Sequence, residues 1–267
     1  MTQTPLLPSI DRAGHQQVAR GAPSLSTNIV ILAAGMGTRL ARPNPKPLTP
    51  LADGRTILRR QLDCIRQAFG PSATVMIVVG FKKELVMEAA ASEALFAYNE
   101  LYDQTNTSKS LLKALQLSGP GGVLWMNGDV VFTSALLLML RNHVAGGNSF
   151  VAVNTARVGD EEVKYSLASN GYIRELSKQV RDGLGEAVGI NYIAAQDRTQ
   201  LMAQLEEVSD NDYFEAAMER AIAQAGVGFR AIDISDFDCV EVDFPSDLHQ
   251  ANNLANTNKM PTQTDEA

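Results

Sequence analysis

The chain has 267 residues, 45% hydrophobic and 20% charged, which is typical of a soluble globular protein. A formal net charge of −7 and the lack of a long basic run argue against nucleic acid as a partner. The two cysteines, Cys64 and Cys239, lack metal-ligand spacing and indicate free thiols in a reducing, cytoplasmic setting. No apolar stretch approaches the roughly 20 residues that span a membrane, so we expect no membrane partner.

Residues 1–27 contain three prolines among many polar residues and show no periodicity, which predicts a disordered or loosely docked extension. An apolar run from Ile29 to Ala34 then predicts a buried parallel strand. Further elements alternate, with helices predicted over 56–69, 82–91 and 107–117 and strands over 74–79, 97–101 and 121–127. This order predicts an α/β fold with a Rossmann-like, mixed but mainly parallel sheet flanked by helices.

The pattern changes near residue 150 to short strands, predicted over 149–153, 163–168, 171–176 and 188–194. We interpret residues 150–235 as an embedded antiparallel substrate lobe or as an extension of a mixed sheet. The last elements are helices over 201–208, 214–225 and 246–254 and strands over 227–234 and 239–242. We therefore expect one domain over 28–256 with a frayed tail over 257–267, and the sequence leaves a homodimer open.

The first predicted strand leads into a loop that suits phosphate. Gly35 and Gly37 allow a sharp turn and a close approach of the backbone to a ligand. Such a loop directs several N–H groups to one point. Arg39 adds a permanently charged fork of donors, and Lys46 lies in a segment stiffened by a proline on either side.

Two familiar glycine motifs do not fit this loop. A dinucleotide-binding fingerprint needs glycine at position 40, where the chain has Leu40. A P-loop needs Gly-Lys followed by Ser or Thr, whereas Gly37 is followed by Thr-Arg. By themselves, the two glycines also fit an ordinary strand-to-helix turn with a solvated Arg39 and Lys46.

Two aspartates follow predicted strands and are candidates for binding a metal. Asp129 follows the strand that ends at Asn127, and Asp243 follows the strand over 239–242. If both strands lie parallel to the first one, their carboxylates stand at the same sheet edge as the glycine loop. Paired carboxylates beside a phosphate site are typical ligands of Mg²⁺, although a lone aspartate at a strand end is also a common helix cap.

The string Leu-Ala-Ala-Gly-Met-Gly-Thr-Arg-Leu at 32–40, followed by Pro-Lys-Pro-Leu at 45–48, resembles a known signature. It is that of nucleotidyltransferases that join an NTP to a phosphomonoester, including NDP-sugar pyrophosphorylases, phosphocholine cytidylyltransferases and MobA-like NTP transferases. The resemblance implies that Arg39 and Lys46 are catalytic and that Asp129 and Asp243 bind Mg²⁺. It implies a nucleotide site of Leu32, Ala33, Ala34, Gly35, Met36, Gly37, Thr38, Arg39 and Lys46.

Further stretches resemble the subgroup that uses CTP and small phosphorylated alcohols or phosphonates. The segment from Tyr98 to Leu111 matches an Asn-rich turn that opens a helix in that subgroup. On this likeness, the nucleotide site also includes Asn106, Ser108, Lys109 and Ser110. The same likeness places Lys178 against phosphate and places Glu186, Asn191 and Tyr192 towards the acceptor. As bare sequence, Lys178 equally fits a solvated strand end.

The aromatic residues of the middle region allow two interpretations. Tyr165, Tyr192, Tyr213 and Phe214, with Asp212 and Glu215 nearby, form either a cage for a cationic head group or part of the core. The three histidines, His15, His143 and His249, have no spacing that indicates a zinc site.

Together these patterns predict a Mg²⁺-dependent cytidylyltransferase that acts on a small phosphomonoester or phosphonate. A hexose-1-phosphate nucleotidyltransferase using GTP, dTTP or UTP is the alternative within the same enzyme class. A non-catalytic nucleotide sensor is the alternative outside it. A glycosyltransferase with an Asp-x-Asp metal site fits less well, because Asn127 occupies the position of the first acid.

Overall fold

The computed structural model describes residues 27–37, 43–156, 158–159 and 162–257. Its strands are β1 (Asn28–Ala33), β2 (Thr74–Val79), β3 (Leu95–Tyr98), β4 (Val123–Asn127), β5 (Val130–Phe132), β6 (Phe150–Asn154), β7 (Lys164–Leu167), β8 (Ile173–Ser177), β9 (Glu186–Ile193), β10 (Arg230–Asp233) and β11 (Cys239–Glu241). Its helices are α1 (Ile57–Phe69), α2 (Lys83–Ala90), α3 (Thr107–Leu117), α4 (Ser134–Ala145), α5 (Arg198–Glu207), α6 (Phe214–Ala225) and α7 (Pro245–Thr257). The extension predicted over 1–27 and the tail predicted over 257–267 lie almost entirely outside these described residues.

A nine-stranded sheet forms the centre of the molecule, with seven strands in the order β10-β6-β9-β4-β1-β2-β3. Strand β1 pairs in parallel with β2 and β4, and β2 pairs in parallel with β3. Strand β9 runs antiparallel between β4 and β6, and β10 is parallel to β6. The predicted α/β class with a mixed, mainly parallel sheet is therefore confirmed.

The apolar run of β1 explains why the sheet is covered on both faces. Ile29 and Ile31 face a core cluster that includes side chains of α1, α2 and α4. Val30 and Leu32 face the opposite cluster, which includes side chains of α3, α5 and α6. All four are buried, as expected for a central parallel strand.

Of the two interpretations of the region after residue 150, the structure matches the extension of a mixed sheet. Strands β6, β9 and β10 belong to the central sheet, so the region extends a mixed sheet. Strands β7 and β8 form an antiparallel hairpin at the side of this sheet and join it through one pair with β9, Lys164 and Glu186. Mixed sheets of this kind commonly extend a parallel core.

Two strand predictions were wrong in their bounds or neighbours. The third strand is Leu95–Tyr98 and not 97–101, because the Asn99 side chain accepts from Leu101 N at 3.2 Å and forms a turn. Strand β11 does not join the central sheet but pairs antiparallel with β5 in a two-stranded sheet. A third apolar cluster beneath this small sheet includes Val131, Val242 and Leu254.

No helix in the described ranges is both long enough and apolar enough to cross a membrane.

Candidate functional site

A cavity of about 720 Å³ opens at the carboxyl ends of β1 and β4. Its described lining comes from distant segments: the glycine loop after β1, the turn before α3, the turn after β4, the first turn of α6, and the end of β11. This is where ligands bind in open α/β sheets, because the connections there leave a crevice. The cavity is therefore the candidate active site.

The glycine loop is shaped to fit against Lys46. Gly37 has a φ of +60°, and a Cβ there would lie 2.7 Å from Lys46 Cγ. Gly35 has open space where its Cβ would be. Lys46 begins a short 3₁₀ helix over Lys46–Leu48, with Pro47 inside it. The absence of a side chain at position 37 thus lets the lysine pass close to the loop.

Lys46 joins the two predicted metal ligands. Its Nζ donates to Asp129 Oδ2 at 3.0 Å and also to Asp243 Oδ1. The three side chains are 12%, 18% and 23% exposed, respectively, so water screens the group only partly. Two acids that are 114 positions apart in the chain thus share one ammonium group.

The two aspartates meet through backbone hydrogen bonds and not through parallel neighbouring strands. Gly128 N donates to Leu32 O at 2.9 Å, which ties the end of β4 to β1. Val242 N donates to Asp129 O at 3.0 Å, which ties the end of β11 to the same turn. The expected parallel arrangement of β11 was wrong, yet both carboxylates reach the same cavity.

Side chains on two helices fix this arrangement from behind. Gln61 of α1 donates to Asn127 O at 2.8 Å and to Val130 O at 2.9 Å, which holds the turn that carries Asp129. Asp247 of α7 accepts from Asp243 N at 3.0 Å and from Phe244 N at 2.7 Å. Asp247 therefore lies in the first turn of α7 and orients the backbone of Asp243.

Burial and mutual charge shift the pKa values of these groups. Burial alone lowers the pKa of Lys46, but the charges and hydrogen bonds of Asp129 and Asp243 outweigh it and raise the value. Burial raises the pKa of Asp129 despite the opposing charge of Lys46. Burial, followed by the charges of Asp129 and Asp243, raises the pKa of Glu241 well above its usual value. Burial therefore favours the neutral form of the Asp129 and Glu241 carboxyl groups, whereas the two aspartates keep Lys46 charged.

Another part of the cavity wall is built where β8 meets α6. Lys178 follows β8, and its Nζ lies 5.7 Å from the centroid of the Tyr213 ring. Leu176 N donates to Glu219 Oε1 at 3.0 Å, which fixes the end of β8 against α6. Glu215 lies in the first turn of α6, and burial raises the pKa of its carboxyl group to about 7.

The described residues fit a divalent cation at the aspartate pair. The Oδ1 atom of Asp129 is buried and receives no hydrogen bond from any described group. No described cluster of three or more His, Cys, Asp or Glu side chains forms a metal cage. Mg²⁺ is commonly bound by one or two carboxylates and completed by waters and substrate phosphates, so two aspartates suffice.

Residues 29–208 match the model of the MobA-like NTP transferase domain, which covers well over half of the chain. The chain belongs to the MobA-like NTP transferase family. The predicted family resemblance is confirmed, and so is the prediction that the chain is of the nucleotidyltransferase class.

Two curated relatives of this NTP transferase domain are similar over most of the chain. The chain is 31% identical over 83% of its length to CMP-5'-(3-aminopropyl)phosphonate synthase of Streptomyces rubellomurinus, and it covers 38% of that protein. It is 36% identical over 68% of its length to the bifunctional protein GlmU of Cupriavidus taiwanensis, and it covers 36% of that protein. The chain thus spans less than two fifths of the length of these relatives.

A solved structure of low sequence identity shares the fold of the NTP transferase domain. The inositol-1-phosphate CTP transferase from T. maritima superposes with a TM-score of 0.70 at 14% identity. The match covers 88% of this chain and 98% of that one.

Most residues of the predicted phosphate site lie together in the cavity. The described lining includes Leu32, Ala33, Gly35, Met36, Gly37, Lys46, Asn106, Asp129, Lys178 and Asp243. Ala34 is buried directly behind the loop, where its carbonyl accepts from Phe81 N at 3.0 Å. Thr38 and Arg39 fall outside the described residues.

Three residues of the predicted helix turn do not line the cavity. Ser108 is fully buried, and Ser110 accepts from Asn99 Nδ2 at 3.0 Å. Lys109 Nζ donates to Leu205 O at 2.9 Å and to Val208 O at 2.7 Å at the end of α5. The contacts of Lys109 and Ser110 hold α3 against neighbouring segments, whereas the buried Ser108 Oγ receives no hydrogen bond from any described group.

Three predicted acceptor residues also lie elsewhere. Glu186 accepts from Gly159 N at 2.9 Å through its carboxylate. Asn191 is 1% exposed in β9, and Tyr192 stacks on Phe150 with ring centroids 5.6 Å apart. Of the six residues suggested for a cage, Tyr213, Phe214 and Glu215 line the cavity, whereas Tyr165, Tyr192 and Asp212 do not.

Asn127 and Glu241, which lie at strand ends and line the cavity, were not among the predicted site residues. Asn127 donates through Nδ2 to Glu241 Oε1 at 3.4 Å across the cavity floor. A signal for Glu241 was available: Val240 and Val242 pack in the third apolar cluster, and side chains alternate along a strand. That alternation turns Glu241 away from the cluster and towards the cavity.

Proposed function

We propose that this NTP transferase domain transfers a cytidylyl group from CTP to a small phosphomonoester or phosphonate and releases pyrophosphate. The observation that carries the proposal is the position of Lys46 between Asp129 and Asp243, against the glycine loop, in a single cavity. The preference for CTP is supported by the relative that, by its name, synthesises a CMP-linked phosphonate.

The reaction needs positioning and charge neutralisation and no covalent nucleophile. A phosphate or phosphonate oxygen of the acceptor attacks the α-phosphorus of CTP. The new P–O bond forms as the bond from the α-phosphorus to the bridging oxygen breaks, and pyrophosphate leaves with that electron pair. The glycine-loop amides bind the β- and γ-phosphates in this scheme, and Arg39 assists them.

Lys46 stabilises the charge that develops during transfer. Its ammonium pairs with both Asp129 and Asp243 and offsets one of their two negative charges. Mg²⁺, held by these two aspartates, would supply a second positive charge for the α-phosphate and the acceptor. Lys46 would donate to oxygens on the α-phosphate and on the incoming phosphate, where preorganised donors lower the barrier most.

A pyrophosphate-release assay tests the proposal. The protein is incubated with Mg²⁺, each of the four common NTPs or dTTP, and a panel of phosphomonoesters and phosphonates. Release with CTP and a small acceptor is the expected result. Release only with a hexose 1-phosphate and GTP, dTTP or UTP would select the sugar-nucleotide alternative, whereas NTP binding without turnover would select the sensor.

A further inference from the structure

The described lining of the cavity carries a large excess of acid. It contains two lysines, Lys46 and Lys178, and six carboxylates: Asp103, Asp129, Glu162, Glu215, Glu241 and Asp243. An NTP and a phosphorylated acceptor are themselves anionic, and Mg²⁺ with Arg39 offsets only part of the total. A cavity of this charge favours an acceptor that brings a positive charge of its own.

Glu215 is the acid best placed to meet that charge. Asp129 and Asp243 already share Lys46, and Glu241 lies close to them. Glu215 lies in the first turn of α6 and forms no ion pair with any residue in the described ranges. Lys178 is the neighbouring base, and its charge only partly compensates the carboxylate.

Lys178 and Glu215 offer one charged group for each end of a zwitterion. Lys178 can donate to phosphate or phosphonate oxygens, and Glu215 can accept from an ammonium group. Both lie at the junction of β8 and α6, which the Leu176–Glu219 hydrogen bond holds. A charge-assisted hydrogen bond between carboxylate and ammonium is among the stronger polar contacts.

The aromatic residues of the described lining do not form a cage for a quaternary ammonium. They are Tyr102, Tyr213, Phe214 and Phe244. Phe214 is 1% exposed and meets Trp125 edge-on, with ring centroids 5.7 Å apart. No close ring pair in the described structure joins two of the four. A primary ammonium, which can donate N–H groups to a carboxylate, fits better than a trimethylated one.

We propose that the acceptor is a small zwitterion with a phosphate or phosphonate at one end and a primary ammonium at the other, and that Glu215 binds the ammonium. This inference rests on the proposed cytidylyl transfer and adds the chemical class of the acceptor. Glu215 is thereby a specificity-determining residue. It differs from an ordinary first-turn acid, which would only complement the helix dipole.

The test compares pairs of acceptors that differ at one end, either in its charge or in the methylation of its nitrogen. The wild-type protein is assayed with CTP, Mg²⁺ and either 2-aminoethylphosphonate or propylphosphonate, and then with 3-aminopropylphosphonate or butylphosphonate. Phosphoethanolamine and phosphocholine form a third pair. We expect kcat/KM to be roughly tenfold or more higher for each primary amine, the value of one charge-assisted contact.

Two variants assign the effect to one carboxylate. Glu215→Gln should raise KM roughly tenfold for the aminoalkylphosphonates and leave KM for the alkylphosphonates unchanged. Glu207→Gln is the matched control, because Glu207 is exposed at the end of α5 and does not line the cavity. A purely structural Glu215 would change both acceptor classes equally, which would overturn the inference.

The outcomes separate this inference from the function on which it rests. Equal efficiencies for the ammonium acceptors and their alkyl counterparts in the wild-type protein overturn the inference and leave cytidylyl transfer standing. A preference for phosphocholine over phosphoethanolamine also overturns it. The absence of pyrophosphate release with every NTP and every acceptor overturns the proposed function, and this inference with it.

Discussion

We call the part of the cavity formed by the glycine loop, Lys46, Asp129 and Asp243 the phosphate end. There Lys46 donates to both Asp129 and Asp243, so its ammonium is paired with carboxylates of the same chain. We call the part of the cavity formed by Lys178 and Glu215, where β8 meets α6, the acceptor wall. There Glu215 forms no ion pair with any described residue, and burial raises its pKa to about 7. The phosphate end is thus organised by ion pairs before a ligand arrives, although one ammonium group offsets only one of the two aspartate charges. The acceptor wall keeps an uncompensated group whose charge a ligand has to satisfy. The difference indicates that reactivity and selectivity depend on different parts of the cavity.

The largest effect should come from removing the shared ammonium group. Lys46→Met should lower kcat by roughly 10²–10³-fold, the range for loss of one preorganised stabilising group. Lys113→Met, which removes a lysine paired with Glu100 away from the cavity, should leave kcat unchanged. Steady-state kinetics with CTP and the best acceptor measures both. Equal losses in the two variants would show that Lys46 has no special role.

The next largest effects should distinguish Asp243, a proposed metal ligand, from Asp247, which orients its backbone. Asp243→Asn should lower kcat by roughly 10²-fold or more, because the neutral amide would hold Mg²⁺ and Lys46 less firmly than the carboxylate does. Asp247→Ala removes the side chain that accepts from Asp243 N and Phe244 N. It should lower the free energy of unfolding by about 1 kcal/mol, as for a lost helix cap, with a far smaller loss of kcat. Denaturant titration and kinetics on both variants check this order, and a reversed order would contradict it.

The acceptor wall makes a prediction about stability and pH. The pKa of Glu215 rises from 4.5 to about 7 on folding, so the folded state retains a proton that the unfolded state loses. The contribution is fully present below pH 4.5 and is lost as the pH rises through 7. Relative to Glu215→Gln, the wild-type protein should lose up to about 3 kcal/mol of unfolding free energy over this interval. Urea titrations at several pH values measure the difference, and a pH-independent difference would refute the burial of this carboxyl.

The smallest effect concerns the fit of the loop around Lys46. Gly37→Ala places a residue with a Cβ at a φ of +60° and 2.7 Å from Lys46 Cγ. It should cost about 1 kcal/mol of stability and reduce kcat by displacing the lysine. Gly35→Ala, which has open space at that point, should not affect stability. Thermal melts of the two variants make the comparison, and equal melting temperatures would contradict it.

Much of the phosphate end could be predicted from the sequence because its residues are close together in the chain. The apolar run into Gly35 and Gly37, and Lys46 between prolines, are contiguous features with direct physical consequences. Asp129 and Asp243 were paired correctly although β11 joins a different sheet from the one expected. Their meeting depends on the backbone bond from Val242 N to Asp129 O, and no sequence pattern reveals such a long-range contact.

The acceptor wall was harder to predict from the sequence because segments that are far apart in the chain form it. Lys178 and Glu215 come together only once β8 packs against α6. Lys109 was predicted to bind the nucleotide because it lies in the first turn of α3. Its side chain instead contacts the end of α5. Helix spacing fixes which residues share a face, whereas tertiary packing decides what that face meets.

The most direct test is a crystal structure with Mn²⁺ and a non-hydrolysable CTP analogue, using anomalous scattering to locate the metal. The account predicts an anomalous peak in contact with the carboxylates of both Asp129 and Asp243, and a triphosphate lying against Gly35, Gly37 and Lys46. A metal bound away from either aspartate, or a triphosphate bound outside this cavity, would contradict it.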